Sequence, residues 1–236
     1  MAHRLRSSLE SAISSSRLES YRNGGDDLAM IVNYFHNLEL SEALYPSLQA
    51  FEVTYRNSLH NALTARYSTP YWFDHPDFSH SKFHVDSVVT VRNGLQRDGK
   101  PYPFSADHIV SRLNFGFWHG LLNRPFEKLL WQVNGWQLIT VVFPAVPRKE
   151  RSRQGLWDRL EQIRFLRNRV MHYEPIWYRP RLGTDHRLIL ETLGWISPDM
   201  ESAIALSDRF PLVHIQGRPI LEQRIQAEIQ RRYSTP

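Results

Sequence analysis

Apolar residues recur every three or four positions along most of the chain, a period that predicts an all-α protein. The first stripe follows Asp26 and Asp27, whose carboxylates suit the start of a helix, and a second helix is predicted to begin at Ser41. That second helix should end near Ser68, because Pro70 disfavours helix at the residue before it. Its apolar positions are Leu44, Leu48, Phe51, Tyr55, Leu59 and Leu63.

Further helices are predicted over 81–94, 111–122, 125–133, 150–173, 198–207 and 219–233. Between them, 96–105 has the glycine and prolines of a loop, and 186–193 suggests a short strand or turn. No internal repeat and no linker-like composition interrupts the pattern. We therefore predict a single all-α domain over 1–236.

Composition narrows the class of protein. Apolar residues make up 42% of the chain and charged residues 22%, as in ordinary globular proteins, and there is no cysteine for a disulfide, a thiolate nucleophile or an iron–sulfur cluster. The polar, serine-rich residues 1–17 do not have the pattern of a secretory signal, and the most apolar run, 138–146, is too short to span a bilayer. These features predict a soluble, cytoplasmic protein without membrane association.

The formal net charge of +5 is concentrated in one segment. Only four of the 29 cationic residues are lysine, and eight cations lie between Arg148 and Arg169 against three anions. Arginine binds phosphate through a planar fork and stacks on bases, so a nucleic-acid partner is one interpretation. A solvated helix face is the other.

Residues 163–175 hold the most informative group of side chains. The apolar residues Leu156, Leu160, Ile163 and Val170 predict one buried stripe, and Arg167 falls inside that stripe. Asn168 and His172 lie on a flanking face, and His172 is in the last turn, where the helix dipole favours a protonated imidazole.

A cation, an amide and an imidazole together could cleave RNA without a metal. One group would take the proton of a 2′-hydroxyl, another would protonate the leaving 5′-oxygen, and an arginine would stabilise the phosphoryl charge. The alternative is structural: Arg167 would pair with a buried carboxylate, and His172 would cap the helix. Spacing alone favours this structural alternative.

Four separated segments resemble the Abi-like (abortive infection) branch of the HEPN superfamily. Arg167-Asn168 followed by His172 is similar to the superfamily motif, and 166–176 resembles the motif region of this branch. The segments 51–57 and 114–122 resemble its Glu-x-x-x-Arg-Asn and Phe-Gly-Phe-Trp elements, and 37–44 resembles its opening segment. The resemblance runs from about residue 14 to residue 176, with 177–236 as an extension expected to pack on that core.

The resemblance implies a HEPN-type helical bundle that dimerises so that two motifs form a composite active site. It also implies a metal-independent, cofactor-free endoribonuclease that acts as a toxin or in antiphage defence, with a protein or RNA inhibitor as a possible partner. Arg167 would bind the scissile phosphate, His172 would be the general acid or base, and Asn168 would orient one of them. The products would carry 2′,3′-cyclic phosphate and 5′-hydroxyl ends.

One position departs from several HEPN toxins, which carry a modifiable tyrosine two residues after the histidine. Here that position is Glu174 and the tyrosine is Tyr173. The departure argues against regulation by that route, and the Glu174-Pro175 ending is similar to the Abi-like branch.

Supporting residues are expected on an earlier helix. Glu52 would pair with Arg167, with Arg56 and Asn57 beside it, although Glu52 and Arg56 could instead form an ordinary ion pair one turn apart. Glu174 would support the motif from its own segment. The residues expected to bind RNA are Arg153, Arg159, Arg164, Arg169, Arg179 and Trp177.

Three further interpretations concern a metal site, base stacking by tryptophans and a protein that is not an enzyme. His75, His80, His84 and Asp86 could ligate a metal, but the metalloprotease pattern fails and clustering by chance is more plausible, so no metal is expected. The tryptophans, Trp136 among them, could stack on bases but more often fill a core. The alternative to the enzyme is a non-catalytic HEPN module that binds RNA or a protein.

Overall fold

The computed structural model describes residues 1–132 and 137–233 of the 236-residue chain. The protein is 76% helical and no strand occurs in the described ranges, which confirms the all-α prediction. Short 3₁₀ and π turns connect the α-helices, which are α1 (Ala2–Ile13), α2 (Ser15–Glu19), α3 (Asp27–Tyr67), α4 (Lys82–Arg97), α5 (Ala106–Val110), α6 (Phe115–Gly120), α7 (Gln137–Val142), α8 (Arg153–Met171), α9 (Leu182–Ile196), α10 (Pro198–Ala205), α11 (Phe210–Leu212) and α12 (Arg218–Tyr233). None of the described helices is both long and apolar enough to cross a membrane.

The chain packs as two compact units, each built from separate stretches of sequence. Unit 1 comprises Met1–Leu48, Leu166–Arg187 and Ile204–Pro236, and unit 2 comprises Gln49–Phe165 and Leu188–Ala203. Residues 177–233 therefore contribute to both units. The prediction of one domain over 1–236 stays a prediction, since this division describes packing and not independent folding.

Unit 1 is built around a small core on the first half of α3. Leu18, Tyr21, Met30 and Ile31 are fully buried there or nearly so. Apolar side chains of α1 and α12 close the cluster, which explains why the polar N-terminal segment is helical: its sparse apolar residues share one face. The partly buried members of this cluster are Leu5, Leu9, Ile13, Tyr34, Phe35, Trp177 and Ile225.

Unit 2 has an aromatic core. The Trp72 ring lies 5.0 Å from that of Phe78 and 6.0 Å from that of Trp118, and all three are buried. Polar atoms of this core bond to backbone carbonyls: Tyr55 Oη donates to Trp118 O at 3.3 Å, and Trp131 Nε1 donates to Leu121 O at 2.7 Å. Large aromatic surfaces with paired polar ends account for a stable core in this unit.

Two predicted boundaries are wrong. The helices predicted to meet near Ser41 form one helix, α3, because the buried stripe continues through Leu40, Leu44 and Leu48. Conversely, the helix predicted over 111–122 is shorter, since α6 spans only Phe115–Gly120 and is preceded by its cap residue Asn114. The Asn114 side chain caps α6 by accepting a hydrogen bond from Phe117 N at 3.0 Å.

Two further predictions need correction. The helix predicted over 125–133 is a 3₁₀ turn followed by a π turn (Glu127–Trp131), and Val133 lies outside the described residues. The segment 186–193, predicted as a strand or turn, belongs to α9. There Leu182, His186, Ile189 and Leu193 are buried at helical spacing.

Candidate functional site

Helix α8 carries the Arg167–His172 group near its C-terminal end. The predicted stripe is confirmed, since Leu156, Leu160, Ile163 and Val170 are all buried. Arg167 is half-buried, as expected of a cation placed within an apolar face. The helix ends at Met171, ahead of Pro175 as predicted, so the group lies within the last two turns and the residue after them.

The end of α8 has the hydrogen bonds of a Schellman motif. Glu174 N donates to Arg169 O at 2.8 Å, and Tyr173 N donates to Val170 O at 3.2 Å. Tyr173 adopts the left-handed conformation (φ 58°), which usually requires glycine. The chain therefore turns sharply after His172, and a strained tyrosine forms the turn.

The three motif side chains lie within two turns of one another. Arg167 Nη1 donates to Asn168 Oδ1 at 3.4 Å. His172 N donates to Asn168 O at 2.9 Å, which keeps the last helical hydrogen bond intact, and the His172 side chain is exposed. Hence the helix end presents an imidazole to solvent close to a contacting arginine–amide pair.

A buried asparagine fixes the segment that follows the motif. Asn37, on α3 and 1% exposed, accepts hydrogen bonds through Oδ1 from Ile176 N at 2.6 Å and Trp177 N at 3.2 Å. Its Nδ2 donates to Tyr21 Oη at 3.4 Å. One side chain thus satisfies two consecutive backbone donors that would otherwise be costly to bury.

Two arginines hold the same turn. Arg17 of α2 donates through Nη2 to Tyr173 O at 2.6 Å. Arg169 donates to Pro175 O at 2.6 Å and lies 3.2 Å from a carboxylate oxygen of Glu174. Glu174, which is expected to support the motif, thus contacts Arg169. These contacts restrict the backbone on the C-terminal side of His172.

The support residues predicted on α3 lie in unit 2. Glu52 and Arg56 are half-buried and Asn57 is exposed, and Arg56 Nε donates to Asn57 Oδ1 at 3.2 Å. The pairing of Glu52 with Arg167 stays a prediction.

Two arginines predicted to bind RNA, Arg153 and Arg159, contact groups inside unit 2, and their role in RNA binding stays a prediction. Arg153 is 5% exposed, donates to Leu122 O at 2.7 Å and lies 3.3 Å from Glu127 Oε2. Arg159 donates to Thr192 Oγ1 at 2.8 Å, pairs with Glu191 and stacks 4.0 Å from the ring centroid of Trp195. Each cation is held by groups about 30 residues away in the chain.

The other predicted RNA contacts are also engaged. Arg164 binds both carboxylate oxygens of Glu161, which holds the Glu161 pKa below its ordinary value, and Arg179 lies 3.3 Å from Asp185. Trp177 is half-buried and packs against the core of unit 1, and its role in binding RNA stays a prediction. Within the basic segment, Arg153, Arg159, Arg164 and Arg169 each lie near a carboxylate, whereas Arg148, Lys149 and Arg151 are exposed.

The predicted metal candidates do not come together. His84 is buried, with Nδ1 2.7 Å from Ser81 Oγ and Nε2 3.1 Å from Phe117 O, so both ring nitrogens are engaged. Burial lowers its pKa to about 4. Across 1–132 and 137–233, no group of three or more histidine or acidic side chains is arranged to hold a metal ion. Trp136 lies outside the described residues.

Sequence reasoning missed the role of Asn37 and of Arg17. Both act on backbone groups more than 130 residues away, and no periodicity or spacing reports such a contact. Tyr173 was noted only for its position relative to the histidine, whereas its left-handed backbone shapes the turn.

No protein-family model, curated protein or solved structure matches the chain. The HEPN resemblance therefore stays a prediction that rests on the four sequence segments quoted for it.

Proposed function

We propose that this protein is a metal-independent endoribonuclease of the HEPN Abi-like type, with its active site at the C-terminal end of α8. The observation that carries the proposal is the exposed His172 beside the contacting pair Arg167 and Asn168, on a helix end fixed by side-chain contacts. Fixed geometry supports catalysis because reacting groups need not be ordered during the reaction.

In the proposed reaction, the 2′-oxygen of one nucleotide attacks its own 3′-phosphorus. A general base takes the 2′-hydroxyl proton, the bond from phosphorus to the 5′-oxygen breaks, and a general acid delivers a proton to that oxygen. Arg167 stabilises the negative charge that develops on the phosphoryl oxygens. Asn168 is a positioning residue, since its side chain contacts the Arg167 guanidinium.

Each chain offers one motif histidine, whereas the reaction needs two proton transfers. A homodimer with a composite active site would supply a second His172, so dimerisation is part of the proposal. Action in antiphage defence or as a toxin in the cytoplasm, under a protein or RNA inhibitor, follows the resemblance. The non-catalytic binding module is the alternative.

The experiment compares the wild type with His172→Ala on labelled single-stranded and structured RNAs in excess EDTA. We expect cleavage with 2′,3′-cyclic phosphate and 5′-hydroxyl ends, reduced at least 100-fold in the variant, in line with the usual contribution of a general acid or base. His108→Ala removes a histidine that is also exposed and serves as the matched control, with unchanged cleavage expected.

Cleavage that survives His172→Ala would show that the active site lies elsewhere. RNA binding by both proteins without cleavage by either, on all substrates, would favour the non-catalytic module. Sedimentation of the wild type measures the dimer independently of activity.

A further inference from the structure

A cleft in unit 2 lies between the turn after α6 and the first two turns of α8. Its volume is about 480 Å³, within the range of roughly 300–1,000 Å³ typical of small-molecule sites. The residues that line it are Asn123, Arg124, Pro125, Arg153, Gln154 and Trp157. The Arg167–His172 group does not contribute to it.

Two cross-links hold the walls of this cleft in place. Trp157 Nε1 donates to Asn123 Oδ1 at 2.8 Å, which fixes the plane of the indole ring. Arg153 Nη1 donates to Leu122 O at 2.7 Å, and Nη2 donates to Gln154 Oε1 at 2.8 Å. The cleft is therefore formed without a ligand, and little order has to be created on binding.

The lining is cationic. It contains two arginines, and none of the described residues that line it is acidic. Arg153 is buried and shares its charge with Glu127, at 3.3 Å. Arg124 is exposed, and no described carboxylate pairs with it, so its guanidinium fork is available to an anion such as phosphate.

The remaining groups suit a planar ligand that carries hydrogen-bonding edges. An indole of fixed orientation offers an aromatic surface, and base–aromatic stacking contributes to binding whatever the base. The Nδ2 group of Asn123 offers donors beside it, whereas Gln154 is engaged by Arg153 through Oε1 and by Asp158 through Nε2. A bare anion would use the arginine and leave the indole and the Asn123 amide group unused.

We propose that this cleft binds one nucleotide, with the base against Trp157 and the phosphate at Arg124. The nucleotide could be free or part of a single-stranded RNA, since both present the same base and phosphate. The proposal does not depend on RNA cleavage at His172.

Calorimetric titration of the full chain in EDTA tests it, with the four nucleoside 5′-monophosphates, ribose 5-phosphate, inorganic phosphate and a ten-residue 2′-O-methyl RNA as probes. The 2′-O-methyl groups prevent cleavage, so binding is measured alone. We expect nucleotide binding to weaken at least fivefold in Arg124→Ala and tenfold in Trp157→Leu. Arg97→Ala, at an exposed arginine of α4, is the matched control and should bind as the wild type does.

Monophosphate binding that falls in both variants, with ribose 5-phosphate at least tenfold weaker, would support a site for a free nucleotide. Binding of the oligonucleotide alone, weakened by both substitutions, would support the same site with RNA as the source. Equal binding of inorganic phosphate and nucleotides would overturn the proposal, because the base would contribute nothing. Absence of binding, or binding unchanged in Arg124→Ala, which replaces an exposed residue, would also overturn it.

Discussion

The two units bury polar side chains in different ways. In unit 2 the polar atoms sit at the edges of an aromatic core and bond to backbone carbonyls of the same unit, as those of Tyr55 and Trp131 do. In unit 1, the buried Asn33 and Asn37 bond to groups more than 130 residues away in the chain: Asn37 to the backbone of Ile176, and Asn33 to the half-buried Arg218.

This difference shows where order is needed most. An aromatic core is stabilised by buried area and tolerates small shifts, whereas a buried hydrogen bond demands one arrangement of its partners. Unit 1 uses such bonds around the end of α8, where His172 is presented. Unit 2 instead presents a preformed cleft whose walls are cross-linked to each other.

Lowering the pH is expected to have the largest effect on the stability of the two units, through one buried histidine in each. In unit 1, burial, Arg218 and His214 lower the pKa of His36 from 6.5 to about 4, and in unit 2 burial lowers that of His84 to about 4. As the pH falls, the unfolded chain therefore binds protons before the folded chain does. The contribution of each histidine to stability is fully present above pH 6.5 and is lost as the pH falls towards 4. Each histidine should lower the free energy of unfolding by about 3 kcal/mol when the pH falls from 7 to 4.

Urea denaturation at a series of pH values measures this loss. His36→Leu should reduce the loss of unfolding free energy between pH 7 and pH 4 by about 3 kcal/mol. Phe35→Leu, a neighbouring change without titration, should shift the curve equally at every pH. An unaltered pH dependence in His36→Leu would contradict the assignment.

Replacing Asn37 tests whether unit 1 depends on its long-range hydrogen bonds. Asn37→Ala leaves the N–H groups of Ile176 and Trp177 without their acceptor, and we expect the free energy of unfolding to fall by about 2 kcal/mol. Hydrogen exchange of these two amides should accelerate ahead of global unfolding.

Ser47→Ala is the matched control on the same helix. Ser47 is equally buried, but its hydroxyl bonds only to Leu44 O, one turn away, so a loss of about 1 kcal/mol or less is expected. Equal losses of unfolding free energy in Asn37→Ala and Ser47→Ala would contradict the prediction that the bonds to Ile176 and Trp177 contribute more to stability than a local hydrogen bond.

The smallest expected effect concerns the helix ends. Tyr173 after α8 and Ser68 after α3 both have positive φ, one in each unit. At each position the glycine variant should be more stable than the alanine variant by about 1 kcal/mol, because glycine adopts this backbone without strain. Thermal denaturation of Tyr173→Gly and Tyr173→Ala measures the difference. An alanine variant that is more stable than the glycine variant at the same position would contradict the left-handed backbone there.

Helical periodicity predicted the fold class, the buried face of α8 and the ends of α3 and α8 next to prolines. The same periodicity misled over 186–193, where a short apolar run is compatible with either a strand or a helix. Charge counting did not reveal the internal contacts of Arg153 and Arg159, because their partners lie about 30 residues away and leave no mark on local composition. The turn after His172 escaped prediction because its supports come from α2 and α3.

The position of Asn37 has a consequence for synthesis. Its backbone partners are 139 and 140 residues downstream, and Arg218 reaches Asn33 across 185 residues. At about 5–20 residues per second, a ribosome needs on the order of 10 to 40 seconds to cover the longer interval. During translation the first half of α3 is therefore made long before the residues that complete its hydrogen bonds in unit 1.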